Sequence, residues 1–484
     1  MTTTAPATAT RALPAGFVLG AATAAYQIEG AAFEDGRTAS IWDTFSRVPG
    51  AVLGADNGDV ACDHYHRYRD DVALMARLGL DTYRFSTSWA RVCPDGGPVN
   101  ARGLDFYERL VDELLARGIA PWLTLYHWDL PQALEDRGGW TSRETAERFV
   151  DYALAVHDRL GDRVATWTTL NEPFCAAFLG YTAGIHAPGH TDPSAGLAAA
   201  HHLMLGHGLA VRALRDRDPR LRLGITLNHT VPDPVDPADP ADVDAARRVD
   251  AQMNRVFLDP IFRGAYPQDL LDDLAGLGLR SGLEEVILPG DLEVISTPID
   301  ALGVNYYQGE AVSARPPAEA VVTEAATGRP TRSPVPVPDG IHHHPRALAT
   351  TAMGWEVQPE GLTRLLVRLH EEYAAPAGTD LYVTENGAAF DDVVAADGAV
   401  HDAGRVAYLR DHLAAVLDAV EGGVPVKGYF YWSLLDNFEW AWGYSQRFGI
   451  VRVDYQTQER TIKDSGHLYA RVIAERALPV PGEG

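Results

Sequence analysis

The chain has 484 residues, with 66 acidic and 41 basic side chains and a formal net charge of −25. Such an acidic balance repels phosphates, which disfavours nucleic acid and an anionic membrane surface as partners. A hydrophobic share of 46% and a charged share of 22% exclude wholesale disorder and fit a globular enzyme. Cys62, Cys93 and Cys175 are odd in number and far apart, so neither a disulfide framework nor a zinc knuckle is indicated.

Residues 1–13 are a Thr/Ala/Pro stretch, expected to be a disordered tail. No basic cluster there precedes an apolar core, and no membrane-length apolar run follows, so a cytoplasmic protein is expected. From Phe17 onward short apolar runs alternate with longer amphipathic ones. The predicted strands are Phe17–Ala22, Thr82–Ser86, Pro121–Tyr126, Ala165–Leu170, Leu221–Leu227, Ala301–Tyr306, Leu381–Thr384 and Gly428–Trp432. Several are apolar on both faces, as parallel strands buried from both sides are. Predicted helices include Asp70–Leu78, Leu104–Leu115, Gly361–Tyr373 and Arg405–Val420. Another, Thr141–Leu160, opens on a Thr-x-x-Glu capping pattern formed by Thr141 and Glu144. Eight strands, each followed by a helical region, argue for a single (β/α)8 TIM barrel with extended βα loops, spanning 14–478. The Pro/Ala/Thr-rich stretch Ser313–Arg346 lacks any period and is expected to be a long loop or partly disordered.

Active sites of such barrels lie at the carboxyl ends of the strands. In this chain those ends carry Tyr26-Gln27, Arg84, His127-Trp128, Asn171-Glu172, Asn305-Tyr306-Tyr307, Glu385-Asn386 and Trp432, with Glu439-Trp440 in the loop beyond. The set holds two strand-end carboxylates, neutral donors and large aromatics. It has no metal-ligand spacing and no phosphate-cradling glycine loop. Paired carboxylates suit acetal hydrolysis, and aromatic faces stack on a pyranose. His342-His343-His344 could in principle bind a metal, but it lies in the proline-rich stretch without a partner at fixed spacing.

At these residues the chain resembles glycoside hydrolase family 1, the β-glucosidase family. The matching segments are Ala24–Gly30, Arg84–Trp89, Thr124–Pro131, Thr169–Pro173, Tyr382–Gly387 and Trp432–Trp440, in the family's order. The resemblance implies that Glu172 is the general acid/base and Glu385 the nucleophile. Arg84 and Tyr307 then support the nucleophile. Gln27, His127, Asn171, Glu439 and Trp440 contact sugar hydroxyls. Trp432 forms a stacking floor, Trp128 and Phe448 form walls, Asn305 lies by the acid and Trp355 lines the entrance. Glu172 precedes Pro173, which is expected to hold it extended, and Gly387 is expected to turn the chain with positive φ. A retaining pair is expected to stand about 5–5.5 Å apart.

The implied activity is hydrolysis of terminal β-D-glucosyl residues with retention, without metal or cofactor. The implied partners are small β-glucosides and short β-linked oligosaccharides, and homo-oligomerisation stays open. Glu439 disfavours the 6-phospho-β-glucosidase branch, in which a Ser, Lys and Tyr set binds the phosphate; Gln446 and Phe448 stand near the Lys and Tyr positions. That branch and a catalytically weak sugar-binding barrel are the alternatives. Phe174 departs from the tryptophan that often follows Asn-Glu-Pro, which leaves the aglycone preference open. Cys175 has no role in the implied mechanism.

Overall fold

The computed structural model describes residues 10–318, 329 and 331–480. Eight strands form a closed parallel barrel: β1 Val18–Ala22, β2 Thr82–Ser86, β3 Ala120–Tyr126, β4 Thr166–Asn171, β5 Arg222–His229, β6 Ala301–Tyr306, β7 Asp380–Asn386 and β8 Val426–Trp432. Each pairs with the next in sequence, and β8 closes on β1 by pairing Trp432 with Ala22. Strands β2 and β6 are buried at every residue, their polar Arg84, Ser86 and Asn305 included, as strands covered on both faces are.

The expected strands all form, with ends shifted by at most a few residues. β7 continues past Thr384 through Glu385 and Asn386, because the ladder to β6 pairs Glu385 with Asn305. The nucleophile candidate is therefore part of the sheet and not of the loop beyond it. Outer helices include α1 His64–Leu78, α2 Ala101–Ala116, α3 Arg143–Leu160, α4 Pro193–Arg217, α5 Pro359–Leu369, α6 Ala403–Glu421 and α7 Asp464–Glu475. The predicted start of α1 at Asp70 is six residues late. Its first turns carry His64 and Tyr65, which are buried against Asp71 and the Phe106 ring and leave no aliphatic stripe.

The capping pattern expected at Thr141 does not form. The helix begins at Arg143, Thr141 Oγ1 donates to Gly138 O at 2.6 Å, and Glu144 accepts from Arg148 one turn on. Helix α4 has no counterpart among the predicted helices. It is buried on most of its surface by α3 and its neighbours, so it lacks the one-sided apolar stripe that marks a surface helix.

Two further expectations are corrected. The stretch Ser313–Arg346 is ordered at both ends. His342–His344 pairs antiparallel with Glu310–Ser313, which lies parallel to Pro232–Pro234; residues 319–328 and 330 lie outside the described residues. The expected tail also ends earlier than residue 13. Thr10–Ala12 pairs antiparallel with Ala477–Pro479, and Arg11 forms ion pairs with Asp418 and Glu421 of α6. Residues 1–9 lie outside the described part. No helix among the described residues is long and apolar enough to cross a membrane.

Candidate active site

The carboxyl ends of the strands bring Arg84, Asn171, Glu172, Asn305, Glu385 and Trp432 around one chamber. Glu385 is buried and held on both oxygens. Oε1 accepts from Arg84 Nη1 at 2.6 Å, and Oε2 accepts from the Tyr307 hydroxyl at 2.7 Å. The other prong of the guanidinium, Nη2, donates to Asn171 Oδ1 at 2.6 Å. Arg84 thus fixes a carboxylate of β7 and an amide of β4 with one planar fork.

Glu172 is held differently. Its Oε1 accepts from Asn305 Nδ2 at 2.7 Å, and no cation bonds to it among the described residues. Burial first, and the neighbouring Glu385 charge second, raise its pKa to about 8. Burial also pushes Glu385 upward, against the charge and hydrogen bond of Arg84 and the hydroxyl of Tyr307. Glu385 alone of the two owns a cation, so it ionises first and Glu172 keeps its proton. The Asn305 amide also favours the charged form of Glu385.

The local backbone differs from expectation at both glutamates. Glu172 adopts φ 46, in the left-handed region, instead of the extended conformation expected before Pro173. Its carbonyl accepts from Cys175 N at 3.0 Å, which starts a wide helical turn at Cys175–Ala183 straight after the strand. That turn overrides the pre-proline preference. Gly387 does not lie in the left-handed region. A Cβ there would stand 1.7 Å from Trp432 O, so glycine is needed for close approach of β7 to β8.

The amide of Asn171 has its orientation assigned by its neighbours. Arg84 Nη2 and Asn305 Nδ2 both donate to Oδ1, so Nδ2 is the donor toward His127 Nε2, 3.0 Å away. Burial holds His127 well below its ordinary pKa, so the ring is neutral, with its proton on Nδ1. That Nδ1 is buried and has no protein partner among the described residues. The same holds, among the described residues, for Gln27 Oε1, Glu439 Oε2 and Gln446 Oε1. Leaving a buried polar group unpaired costs about 1–3 kcal/mol. Three of these four atoms belong to residues the sequence marks as sugar contacts, and a polyhydroxylated ring offers the missing partners.

The Gln27 side chain is anchored through its other end. Gln27 Nε2 donates to Asn437 Oδ1 at 3.1 Å and to Phe438 O at 2.8 Å, which ties β1 to the loop bearing Glu439. Burial and the charges of Glu385 and Glu172 raise Glu439 to about 8. The His127 ring lies nearly parallel to that of Trp432, centroids 5.7 Å apart. Trp440 and Trp128 sit 4.6 Å apart within an aromatic stack that includes Trp42, and the Trp128 indole donates to Asn171 O at 2.9 Å. Tyr307, Trp355 and Phe448 form a second aromatic group, with centroids 5.4–6.1 Å apart.

The chain matches the model of glycosyl hydrolase family 1 over residues 9–478. The chain belongs to that family. It is similar to the psychrophilic β-glucosidase BglU of Micrococcus antarcticus, a solved structure, at 57% identity and a TM-score of 0.93, over 96% of this chain and 98% of that one. It is 53% identical to the thermostable β-glucosidase B of Thermobispora bispora, over 96% of this chain and 91% of the relative. It is 48% identical to a bifunctional β-D-glucosidase/β-D-fucosidase of Bifidobacterium breve, over 97% and 99%.

Four residues of this family 1 chain gain importance only in three dimensions. Lys463, from outside every motif, is buried and donates to Asp436 Oδ1 at 2.7 Å and to Asp392, which also accepts from Arg405 at 3.0 Å. With Arg447 Nη1 on Asp436 Oδ2 at 2.7 Å, this ion network anchors the loop that carries Asn437 and Glu439. Asn437 and Gln446 join the pocket through the hydrogen bond and the unpaired oxygen described above. Cys175 touches Glu172. Asn437 lies inside the Trp432–Trp440 segment and Cys175 and Gln446 lie close to a motif, whereas Lys463 carried no signal in the sequence. The histidine run lies elsewhere: His343 pairs with Glu310 at 3.1 Å and His344 bonds to Arg315 O. Among the described residues, no group of three or more His, Cys, Asp or Glu could hold a metal ion.

Proposed function

We propose that the chain is a retaining β-glucosidase that removes terminal non-reducing β-D-glucosyl residues from short β-linked oligosaccharides and from aryl or alkyl glucosides. The observation that carries this reading is the pair of buried carboxyls in opposite electrostatic settings. Glu385, bound by Arg84 and Tyr307, is the anion that attacks the anomeric carbon. Glu172, raised to about 8, holds the proton that the departing oxygen needs. Water then attacks the glycosyl-enzyme while Glu172 takes a proton back, which restores both groups without a metal or cofactor.

Asn171, bonded to Arg84 and His127, is oriented to bind the 2-hydroxyl, and His127 Nδ1 and Gln27 Oε1 face the neighbouring hydroxyls. Glu439, whose Oε2 has no partner among the described residues, chelates the 4- and 6-hydroxyls. Among the described residues Arg84, on Glu385, is the one cation bonded to any of the three buried carboxyls, which makes a poor 6-phosphate site and supports unphosphorylated substrates. The names of the relatives agree with glucoside substrates, and the bifunctional one supports fucoside side activity; galactoside activity and transglycosylation are expected to accompany hydrolysis. One catalytic domain carries the reaction, and degradation of cello-oligosaccharides is the physiological role we favour. Three free, buried cysteines accord with a reducing cytoplasm.

Trapping with a 2-deoxy-2-fluoro-β-glucoside followed by peptide mapping tests the reading. The label is expected on Glu385, and a label elsewhere overturns the assignment.

A further inference from the structure

Cys175 Sγ donates to Glu172 Oε2 at 3.3 Å, and both side chains are buried. The double displacement described above gives this thiol no task. Yet the contact is built into the local fold. The left-handed backbone of Glu172 and the bond from Cys175 N to its carbonyl start the wide helical turn, and the turn returns the third residue to the side of the carboxyl.

The two oxygens of Glu172 consequently meet unequal donors. Oε1 faces the Asn305 amide at 2.7 Å, and Oε2 faces a thiol, which donates weakly. An amide N–H occupies a lone pair of Oε1 and makes that oxygen the carbonyl end of the neutral acid. The proton is left to Oε2. We propose that Cys175 is a positioning residue that orients the Glu172 carboxyl and leaves Oε2 as the oxygen that carries the transferable proton. This inference rests on the reading of Glu172 as the acid/base.

The proton accounting closes. As the glycosidic C–O bond breaks, the Oε2–H proton passes to the leaving oxygen, and the resulting carboxylate accepts from the Cys175 S–H. In the second step the carboxylate takes a proton from the attacking water. The thiol proton stays on sulfur throughout, because burial and the nearby Glu172 carboxyl hold Cys175 well above the usual thiol range. A weak donor is matched to this task. It steadies the carboxylate without making the acid ionise early, whereas a hydroxyl would favour the carboxylate more strongly. The other groups that act on Glu172 are Glu385, Arg84 and Asn305, with Tyr307 and Glu439 within electrostatic range.

The test compares Cys175→Ser with Cys175→Ala in pH profiles of kcat/KM on an alkyl glucoside, whose departure requires the acid. The basic limb is expected to fall by about half a pH unit in the serine variant and to rise by about as much in the alanine variant. Basic limbs that coincide with the parent in both variants, or that move in the same direction, overturn the proposal whatever the melting temperatures do. If the alanine variant fails to fold, the near-isosteric serine variant decides alone: a limb that does not fall refutes the proposal. Glu172→Ala with added azide separates the two claims. Azide rescue alongside unmoved cysteine limbs removes only the positioning role, and absence of rescue removes the acid assignment beneath it.

Discussion

Replacing Arg84 by methionine removes the cation bonded to Glu385 while keeping much of the side-chain volume. The lost contact is a 2.6 Å charge-assisted bond inside the barrel, where neither group reaches bulk water. An adjacent opposite charge lowers a carboxyl pKa by about 1–3 units, so Glu385 should rise by that amount in Arg84→Met. Leaving the carboxylate charged and unpaired would cost about 3–5 kcal/mol. A rise of about three units corresponds to about 4 kcal/mol, within that range, so a shift of this size accounts for the unpaired charge, which protonation relieves below the new pKa. The acidic limb of kcat/KM is therefore expected to move up by about 1–3 pH units, with activity on that side falling about 10- to 1000-fold and recovering as pH rises. A dinitrophenyl glucoside is the substrate of choice, since its leaving group needs no proton and the titration of Glu172 does not mask the limb. Tyr307→Phe, which loses a single neutral hydrogen bond to Oε2, should move the limb by about half a unit. A uniform loss of rate at every pH, with the limb of Arg84→Met unmoved, would refute the reasoning and assign Arg84 to substrate binding instead.

Glu172→Gln bears on stability with a definite sign. The folded state holds the Glu172 proton more tightly than the unfolded chain, so its contribution is complete below the ordinary value of 4.5 and is lost as pH rises toward about 8. The melting temperature of the glutamine variant relative to the parent should accordingly climb between those limits, and a difference independent of pH contradicts the raised pKa. Lys463→Met breaks a buried pair on two aspartates and should cost about 3–5 kcal/mol in urea unfolding; a loss below about 1 kcal/mol would show that Asp392 and Asp436 are satisfied without it. Glu439→Ala should lower kcat/KM for a glucoside by at least about 100-fold through loss of paired hydroxyl contacts. A loss under about tenfold would place Glu439 outside the sugar pocket.

The barrel was legible along the chain because parallel strands buried on both faces leave continuous apolar runs. Glu172, Glu385 and most of the candidate site residues were legible as candidates because barrel chemistry collects at strand ends and those ends carry recognisable motifs. Helix α4 was not, since burial on most sides erases the periodicity that marks a helix. The start of α1 was not, since buried His64 and Tyr65 read as polar. The ordered edges of the Ser313–Arg346 stretch were hidden because three-residue strands draw their stability from neighbours remote in sequence.

Order, composition and strand-end chemistry were thus determined by the sequence itself, being local or periodic properties that survive in one dimension. Only the tertiary structure decided which carboxyl owns the guanidinium, which oxygen of Glu172 meets the amide and which the thiol, and which polar atoms remain unpaired in the pocket. Those distinctions arise where β2, β4, β6, β7 and β8 converge. At that point, hydrogen-bond geometry and burial between residues as remote as Arg84 and Glu385, 301 positions apart, set protonation, and no local pattern encodes them.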